Sequence, residues 1–203
     1  MTHDMKTILI AAVTADGKIA ASEQQSSLEW TSKEDTKFFV SKTKEIGTVI
    51  MGRKTFATIG KPLKDRRVIV LTRTPPKPPL IKGGDQGVSP PFQVTAFGPA
   101  MAGSNGGRGA GGGTVEFTDE EPRALLHRLE QEGVKAVALA GGGQIYSTFL
   151  REGLVDELYL TVEPYLFGDG TPLIEGCDPI EMELVDSTRL GNNAVLMHYQ
   201  VHK

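Results

Sequence analysis

The chain has little cysteine and no surplus of positive charge. Cys177 is the one cysteine among 203 residues, so no disulfide can form within the chain. That composition indicates a reducing compartment, and the cytoplasm is the default prediction. Lysine and arginine number 22 against 25 aspartate and glutamate residues, which gives a net charge of −3. The balance argues against nucleic acid as a partner, because binding to phosphates requires clustered cations.

Long hydrophobic runs are also missing. The apolar run near the start, Ile8 to Val13, is far shorter than the roughly 20 residues that cross a bilayer. No basic segment leads into it, as one does in a signal peptide. We therefore expect no membrane segment and no membrane partner.

The residue patterns of several enzyme classes are absent as well. None of the four histidines pairs with a cysteine or carboxylate at the spacing of metal ligands, so no metal site is predicted. The chain contains no Gly-x-Ser-x-Gly elbow and no Walker-type loop. Hydrolase and P-loop kinase functions therefore have no support in the sequence.

Strand patterns alternate with helix patterns along most of the chain. Nearly continuous apolar runs indicate strands buried on both faces of a parallel sheet. Gly191-Asn192-Asn193 predicts a hairpin, so the sheet should end antiparallel. We predict an α/β fold in one domain over residues 1–203, with a mostly parallel central sheet, antiparallel C-terminal strands and helices on both faces. The predicted strands are Lys6–Val13, Thr48–Met51, Arg67–Thr72, Thr114–Thr118, Ala136–Ala140 and Glu157–Val162, and the predicted helices are Ser32–Ile46, Thr55–Ile59, Asp119–Glu132 and Gln144–Glu152, with Ser22–Glu29 as a loop.

One segment interrupts this alternation. Residues 74–113 hold 7 of the 12 prolines and 11 of the 24 glycines of the chain. Such a segment cannot bury enough apolar surface to offset the entropy lost on ordering it. Because strand and helix patterns resume at Thr114, we interpret the segment as a loop insertion, with Pro91–Phe97 as the candidate strand inside it.

Two predicted junctions between a strand and a helix carry glycine: Met51–Thr55 and Ala140–Gln144. A helix start leaves backbone N–H groups unpaired and carries partial positive charge, and glycine lets a phosphate approach that backbone closely. A glycine at one strand end is usually only a turn. Two such junctions, one with Arg53 and Lys54, favour a cofactor with several phosphates, and Arg73 adds a cation at the end of another strand.

Asp35 is the candidate acid, and its spacing supports two interpretations. Ser32-x-x-Asp35 matches a capping box, in which Ser32 caps the helix and Asp35 bonds back to the Ser32 backbone. Spacing alone favours this structural role. A catalytic role requires that Asp35 face a pocket.

Five segments, in this order, resemble dihydrofolate reductases: Ile8–Ala20, Leu28–Phe39, Val49–Arg73, Leu139–Leu150 and Glu157–Val162. The stretch MGRKTF with IG-x-PL-x-x-R after it is the most specific. The resemblance covers most of the chain outside residues 74–113 and weakens after Gly170. It implies a dihydrofolate-reductase-like domain that reduces 7,8-dihydrofolate to 5,6,7,8-tetrahydrofolate with NADPH, by hydride transfer to C6 and protonation of N5.

The same resemblance implies roles for individual residues. Asp35 matches the pocket carboxylate, Thr161 its hydrogen-bond partner and Trp30 a tryptophan that helps to hold an ordered water; these three are the predicted catalytic residues. Arg66 matches an arginine that binds the carboxylate of the glutamate tail. The predicted substrate-binding residues are Ile10, Ala11, Leu28, Asp35, Phe39, Ile59, Leu63, Arg66 and Thr161. The predicted NADPH-binding residues are Ala12, Ile19, Gly52, Arg53, Lys54, Thr55, Thr72, Arg73, Gly141, Gly142, Gly143, Gln144, Ile145 and Tyr146.

Other positions depart from that family and leave alternatives open. Glu29 stands where a proline usually precedes the tryptophan, and Gln144 where an arginine often helps to bind the 2′-phosphate. Ala15–Ala20 and Gly153–Gly176 look more like the pyrimidine reductases of riboflavin synthesis, which share fold and cofactor but reduce a ribosylamino-pyrimidine phosphate. A protein that binds pyridine nucleotides without catalysis is a third alternative, and Asp35 counts against it.

Overall fold

A nine-stranded sheet forms the centre of the molecule in a computed structural model, which describes residues 5–22, 25–73, 94–95 and 112–202. The strand order is β10-β11-β8-β1-β7-β3-β4-β6-β5. Six neighbouring pairs are parallel, and the pairs β8–β11 and β10–β11 are antiparallel. This arrangement confirms the predicted fold class. The strands are β1 Lys6–Thr14, β2 Lys18–Ala20, β3 Thr48–Gly52, β4 Arg67–Leu71, β5 Val94–Thr95, β6 Thr114–Thr118, β7 Ala136–Leu139, β8 Glu157–Glu163, β9 Thr171–Pro172, β10 Met182–Leu190 and β11 Ala194–Val201.

Four helices cover the two faces of the sheet, as predicted. They are α1 Lys33–Ile46, α2 Arg53–Ile59, α3 Pro122–Gln131 and α4 Gly143–Arg151. Leu9 and Ile50 lie in the core cluster that contains the apolar side chains of α3 and α4. Their sequence neighbours Ile8 and Val49 lie in the other cluster, against which α1 and α2 pack. Because successive strand residues point to opposite faces, the continuous apolar runs fill both cores.

The helix ends follow from local chemistry. The Ser32 hydroxyl caps α1 by accepting a hydrogen bond from the Asp35 N–H group at 3.1 Å, and Gly47 ends that helix with φ 83°. The third helix begins at Pro122, later than the predicted start at Asp119. Proline is favoured at the first position of a helix, where its missing N–H group costs no hydrogen bond. Helix α4 begins at Gly143, one residue before the predicted start.

The structure also contains short elements that the sequence did not predict. Strands β2 and β9 pair antiparallel in a separate two-stranded sheet, and Ser27–Glu29 forms a 3-10 turn inside the predicted loop. Within the insertion, Val94–Thr95 pairs with β6, which confirms a strand inside Pro91–Phe97. The rest of the insertion up to Gly111 lies outside the described residues, so the prediction of one domain with an inserted loop stays a prediction. Among the helices that are described, none is long and apolar enough to cross a membrane.

Candidate active site

The two glycine junctions meet at the carboxyl ends of the parallel strands. The Gly52 N–H group donates to the Gly141 carbonyl at 2.8 Å, and the Ala140 N–H group donates to the Ile50 carbonyl at 2.9 Å. The pairing of β7 with β3 therefore continues past the end of β7, up to the residues that precede α2 and α4. In open α/β sheets this edge is where ligands bind.

Side chains are poorly tolerated at two positions of this cradle, which we define as Gly141–Gly143. A Cβ atom on Gly141, whose φ is 103°, would lie 3.2 Å from Tyr146 Oη, and one on Gly143 would lie 3.1 Å from the Pro172 carbonyl oxygen. Helix α4 begins after Gly142 without a side-chain cap. The cradle therefore presents bare backbone at the start of a helix, which is the arrangement that suits a phosphate.

The structure brings several predicted cofactor residues to this cradle. Ile145 lies 3.2 Å from the Cβ position of Gly52, Thr55 lies 3.4 Å from that of Gly142, and Ile19 lies 3.5 Å from that of Gly143. Other predicted residues lie further out on the same junctions or strands. Arg53, Lys54, Arg73 and Gln144 are exposed, whereas Ala12 and Thr72 are half-buried.

Asp35 does not form the capping box that its spacing predicted. The Ser32 hydroxyl accepts from the Asp35 backbone, so the first half of the motif is present. The second half is missing, because the Ser32 N–H group and the Ser32 hydroxyl both donate to Glu163 Oε1 at 2.7 Å. Glu163 thus takes the donor that Asp35 would otherwise have bonded.

The Asp35 carboxyl instead faces Thr161 and Thr31. Burial raises its pKa above the ordinary 3.8, and the charge of Glu163 raises it further, while hydrogen bonds with Thr161 and Thr31 lower it. Thr161 is buried on β8. The structure therefore brings Asp35 and Thr161 together as predicted, in surroundings that favour the protonated carboxyl.

Tyr146 connects the cradle to the end of β1. Its hydroxyl donates to the Ile10 carbonyl at 2.8 Å. Burial raises the pKa of the Tyr146 phenol well above 10, and the charge of Asp35 adds to the shift. The phenol therefore stays protonated. Its oxygen lies 3.2 Å from the Cβ position of Gly141, and the ring interacts electrostatically with Asp35.

Trp30 offers a hydrogen-bond donor with no acceptor. Its side chain is buried, with ring centroids 5.2 Å from Phe167 and 6.3 Å from Tyr165, both edge to face. In the described part of the chain, Trp30 Nε1 is the one buried side-chain nitrogen or oxygen without a partner. Buried donors are nearly always satisfied, so a water or a ligand atom is expected there.

The predicted substrate residues are only partly collected in one place. Ile10, Phe39, Ile59 and Leu63 share the core cluster beneath α1 and α2. Ala11 points to the opposite face of the sheet, because it follows Ile10 on the same strand, and Leu28 is 63% exposed. Arg66 is buried, and it donates from Nη1 to Thr43 Oγ1 at 2.7 Å and from Nε to the Lys64 carbonyl at 3.0 Å. Those two nitrogens bind the chain itself, which favours a structural role for Arg66.

Two further residues belong to the site and were not predicted. Glu163 is one. It could have been predicted from its position two residues after Thr161 on β8, because residues two apart on a strand share a face. Asp16 is the other. Its carboxylate accepts hydrogen bonds from the Phe167 N–H at 3.2 Å and the Gly168 N–H at 2.7 Å. No local sequence pattern predicts these hydrogen bonds of Asp16, because Phe167 and Gly168 lie about 150 residues further along the chain.

Comparison with known proteins points to reductases. The chain is 28% identical to the 2,5-diamino-6-ribosylamino-4(3H)-pyrimidinone 5′-phosphate reductase of Methanothermobacter thermautotrophicus, over 93% of this chain and 95% of that protein. A pyrimidine reductase-like protein of Corynebacterium diphtheriae superimposes with TM-score 0.72 at 14% identity, over 99% and 93% of the two chains. Dihydrofolate reductase of Enterococcus faecalis superimposes less well, with TM-score 0.60 at 20% identity, over 99% and 98%.

A family model settles which of these groups the chain joins. The model described as "RibD C-terminal domain" matches residues 5–196. The prediction that the enzyme is a dihydrofolate reductase is therefore wrong, and tetrahydrofolate synthesis and one-carbon metabolism lose their support with it. That prediction rested on Asp35, Trp30, Arg66 and Thr161, which match folate-site positions. The resemblance of Ala15–Ala20 and Gly153–Gly176 to pyrimidine reductases agrees with the family model. The chain is an oxidoreductase with a dihydrofolate-reductase-like fold, and it belongs to the RibD C-terminal domain family.

Proposed function

We propose that the protein is an NADPH-dependent reductase of a phosphorylated ribosylamino-pyrimidine. The observation that carries this proposal is a packed unit made from the two segments that resemble pyrimidine reductases. We call it the Asp16 unit, and it consists of residues 15–20 and 163–173. Family membership and the name of the Methanothermobacter relative support the same substrate class.

Backbone and side-chain bonds hold the Asp16 unit together. The Ala15 N–H donates to the Tyr165 carbonyl at 2.9 Å, and the Leu173 N–H donates to the Gly17 carbonyl at 3.1 Å. The Asp16 carboxylate adds its two bonds to Phe167 and Gly168. Segments that are distant in sequence and share one resemblance thus form one structure, as expected of a site that selects a common substrate.

The Asp16 unit also touches the cofactor cradle. The Pro172 carbonyl oxygen lies 3.1 Å, and Ile19 Cδ1 3.5 Å, from the Cβ position of Gly143. A ligand held by the unit would therefore lie beside a dinucleotide held by the cradle. This adjacency is what hydride transfer requires, because the two reacting atoms must be in contact.

The cofactor is NADPH, which supplies the hydride when it is bound. The cradle, the start of α4 and the Thr55 hydroxyl would hold its phosphates, and the exposed cations Arg53 and Arg73 would bind the 2′-phosphate. Two glycine positions fit such a ligand, since a Cβ atom would crowd Tyr146 at Gly141 and the Pro172 carbonyl at Gly143.

The reaction defines what the residues of this chain must do. The open-chain form of a ribosylamine is an imine. When its carbon gains hydride, its nitrogen gains a proton, and the product is a ribitylamine. Asp35 is the group that can hold this proton, because burial and Glu163 both raise its pKa. The Trp30 Nε1–H group would orient the substrate directly or through a water.

Anaerobic incubation with NADPH and 2,5-diamino-6-ribosylamino-4(3H)-pyrimidinone 5′-phosphate tests the proposal. We expect absorbance at 340 nm to fall and the pyrimidine to gain two mass units, whereas dihydrofolate should support no comparable rate. Asp35→Asn should slow turnover strongly. NADPH binding without turnover of the pyrimidine would overturn the assignment and favour a protein that only binds the nucleotide.

A further inference from the structure

A buried carboxylate, Glu163, lies next to the half-buried Asp35, and the reaction above uses its charge but not its hydrogen bonds. Glu163 ends β8 with 2% of its surface exposed. Its Oε1 atom accepts two hydrogen bonds of 2.7 Å, one from the Ser32 backbone N–H and one from the Ser32 hydroxyl. A carboxylate at the end of a buried strand is costly unless it is bonded in this way. Glu163 is therefore held in place by the residue that caps α1.

The bonds to Ser32 decide what Asp35 can do. In a Ser-x-x-Asp sequence at a helix start, the third residue can bond back to the N–H group of the cap. Glu163 occupies that N–H group, so the Asp35 carboxyl is left to face Thr161 and Thr31. We propose that Glu163 is a positioning residue, which takes both donors of Ser32 and so keeps the Asp35 carboxyl available to the substrate. This role rests on the proposed function.

Charge gives Glu163 a second effect on the same group. Within the described residues, the titratable groups that interact with Asp35 are Glu163 on β8 and Tyr146 on α4, and the phenol of Tyr146 is neutral. Glu163 therefore supplies the negative charge that favours a proton on Asp35, in addition to burial. Two neighbouring carboxyls in different surroundings take different roles. Glu163 accepts hydrogen bonds, and Asp35 gives its proton to the imine nitrogen and regains one from water after the product leaves.

A titration without substrate tests the charge effect. The protein is labelled with [4-¹³C]aspartate, the Asp35 carboxyl resonance is assigned by its loss in Asp35→Asn, and its midpoint is measured in wild type and in Glu163→Gln. Glutamine keeps an acceptor oxygen for Ser32 but lacks the charge, so we expect a lower midpoint. Glu157→Gln is the matched control, since Glu157 is a buried carboxylate on the same strand that bonds Lys6 and His198 instead. It should leave the midpoint unchanged.

A shorter side chain tests the positioning effect. Glu163→Asp keeps the charge but withdraws the carboxylate from Ser32. In its crystal structure we expect the Asp35 carboxyl to turn to the Ser32 N–H group and close the capping box. Turnover should then fall about tenfold or more, while the affinity for NADPH, measured by its fluorescence, stays at the wild-type value. An Asp35 carboxyl that still faces Thr161 would overturn the proposal, even if Glu163→Gln failed to fold.

The two proposals fail separately. A lower Asp35 midpoint in Glu163→Gln, with no turnover of the pyrimidine by wild type, would reject the proposed substrate and retain the link between Glu163 and Asp35. The opposite result is normal turnover by wild type, an unchanged Asp35 midpoint in Glu163→Gln and an unmoved Asp35 carboxyl in Glu163→Asp. It would reject the positioning role of Glu163 and retain the proposed substrate. Circular dichroism of each variant shows that the comparisons concern folded protein.

Discussion

Asp35 occupies a position that disfavours its own charge. Burial and the neighbouring Glu163 both act against the ionised carboxyl, and the hydrogen bonds with Thr161 and Thr31 compensate only in part. Such an arrangement is expected where a group must hold a proton for transfer. It also lowers the stability of the folded state at pH values where the carboxyl is ionised.

Asp35→Asn should therefore stabilise the protein at neutral pH. The pKa of Asp35 is raised in the folded state, so between 3.8 and the raised value the folded state binds more protons than the unfolded state, and stability falls as pH increases. The amide has no such dependence. We expect urea denaturation to give a higher free energy of unfolding for the variant at pH 7, and this difference should shrink as the pH falls well below 3.8. A difference of equal size at neutral and at acid pH would contradict this account.

Tyr146 makes a structural hydrogen bond whose loss should be measurable. Tyr146→Phe leaves the buried Ile10 carbonyl without the donor that now lies at 2.8 Å. An unsatisfied buried acceptor costs about 1–3 kcal/mol, and urea denaturation would show a loss in that range. Tyr199→Phe is the matched control, since the Tyr199 hydroxyl donates to the weak acceptor Met197 Sδ. Equal losses in the two variants would mean that the Ile10 contact contributes nothing specific.

At the scale of elements, the sequence predicted what is periodic and missed what is short or distant. Strands such as β3 and β4 were predicted because continuous apolar runs indicate burial on both faces. Strands β2 and β9, of three and two residues, are too short to show any period. Only half of the predicted capping box forms. The Ser32 N–H group, which Asp35 was expected to bond, donates instead to Glu163, about 130 residues further along the chain. Local spacing cannot reveal such a competitor.

An ion-pair network joins α3 to the edge of the sheet. Arg128 bonds Glu116, Glu120 and Glu132, and Arg67 bonds Glu116 and Glu132. The Arg128 and Glu116 side chains are only 16% and 12% exposed, so solvent screens these pairs poorly. The hydrogen bond from Arg128 lowers the pKa of Glu120. The stabilisation from this pair is therefore present at neutral pH and is lost as the pH falls and Glu120 becomes protonated.

Arg128→Met should destabilise the protein more than removal of an exposed pair. The Glu120 carboxylate would remain half-buried without its cation, while Glu116 would keep Arg67 but lose one charged bond. Lost charged hydrogen bonds cost about 1.5–3 kcal/mol. Lys44→Met is the control, because Lys44 and Asp65 form an exposed pair that is worth about 1 kcal/mol or less. Thermal and urea unfolding measure both. The difference between wild type and Arg128→Met should shrink as Glu120 protonates at low pH, and a constant difference would mean that packing, not charge, explains the loss.

In the molecule as a whole, a rigid sheet carries loops that are held by few bonds. The central strands β1, β3, β4 and β7 are almost wholly buried. The Asp16 unit, in contrast, has exposed side chains such as Tyr165 and Leu166 and a sheet of only two short strands. Regions with few buried contacts open locally without global unfolding. The substrate side of the site is therefore expected to be much less stable than the cofactor side.

Asp16→Asn tests this division of stability. The amide nitrogen cannot accept the hydrogen bonds that Phe167 and Gly168 now donate to the two carboxylate oxygens, so the loop should open more often. Hydrogen exchange should speed up at Phe167, Gly168 and Leu173 and stay unchanged in β3 and β4. Asp169→Asn is the matched control, because Asp169 is an exposed carboxylate in the same loop, and it should leave those exchange rates unchanged.

With the pyrimidine as substrate, KM should rise in Asp16→Asn while NADPH affinity remains, since only the substrate side is loosened. Faster exchange throughout the sheet would show that the Asp16 unit is part of the cooperative core, and that the site opens only when the whole domain unfolds.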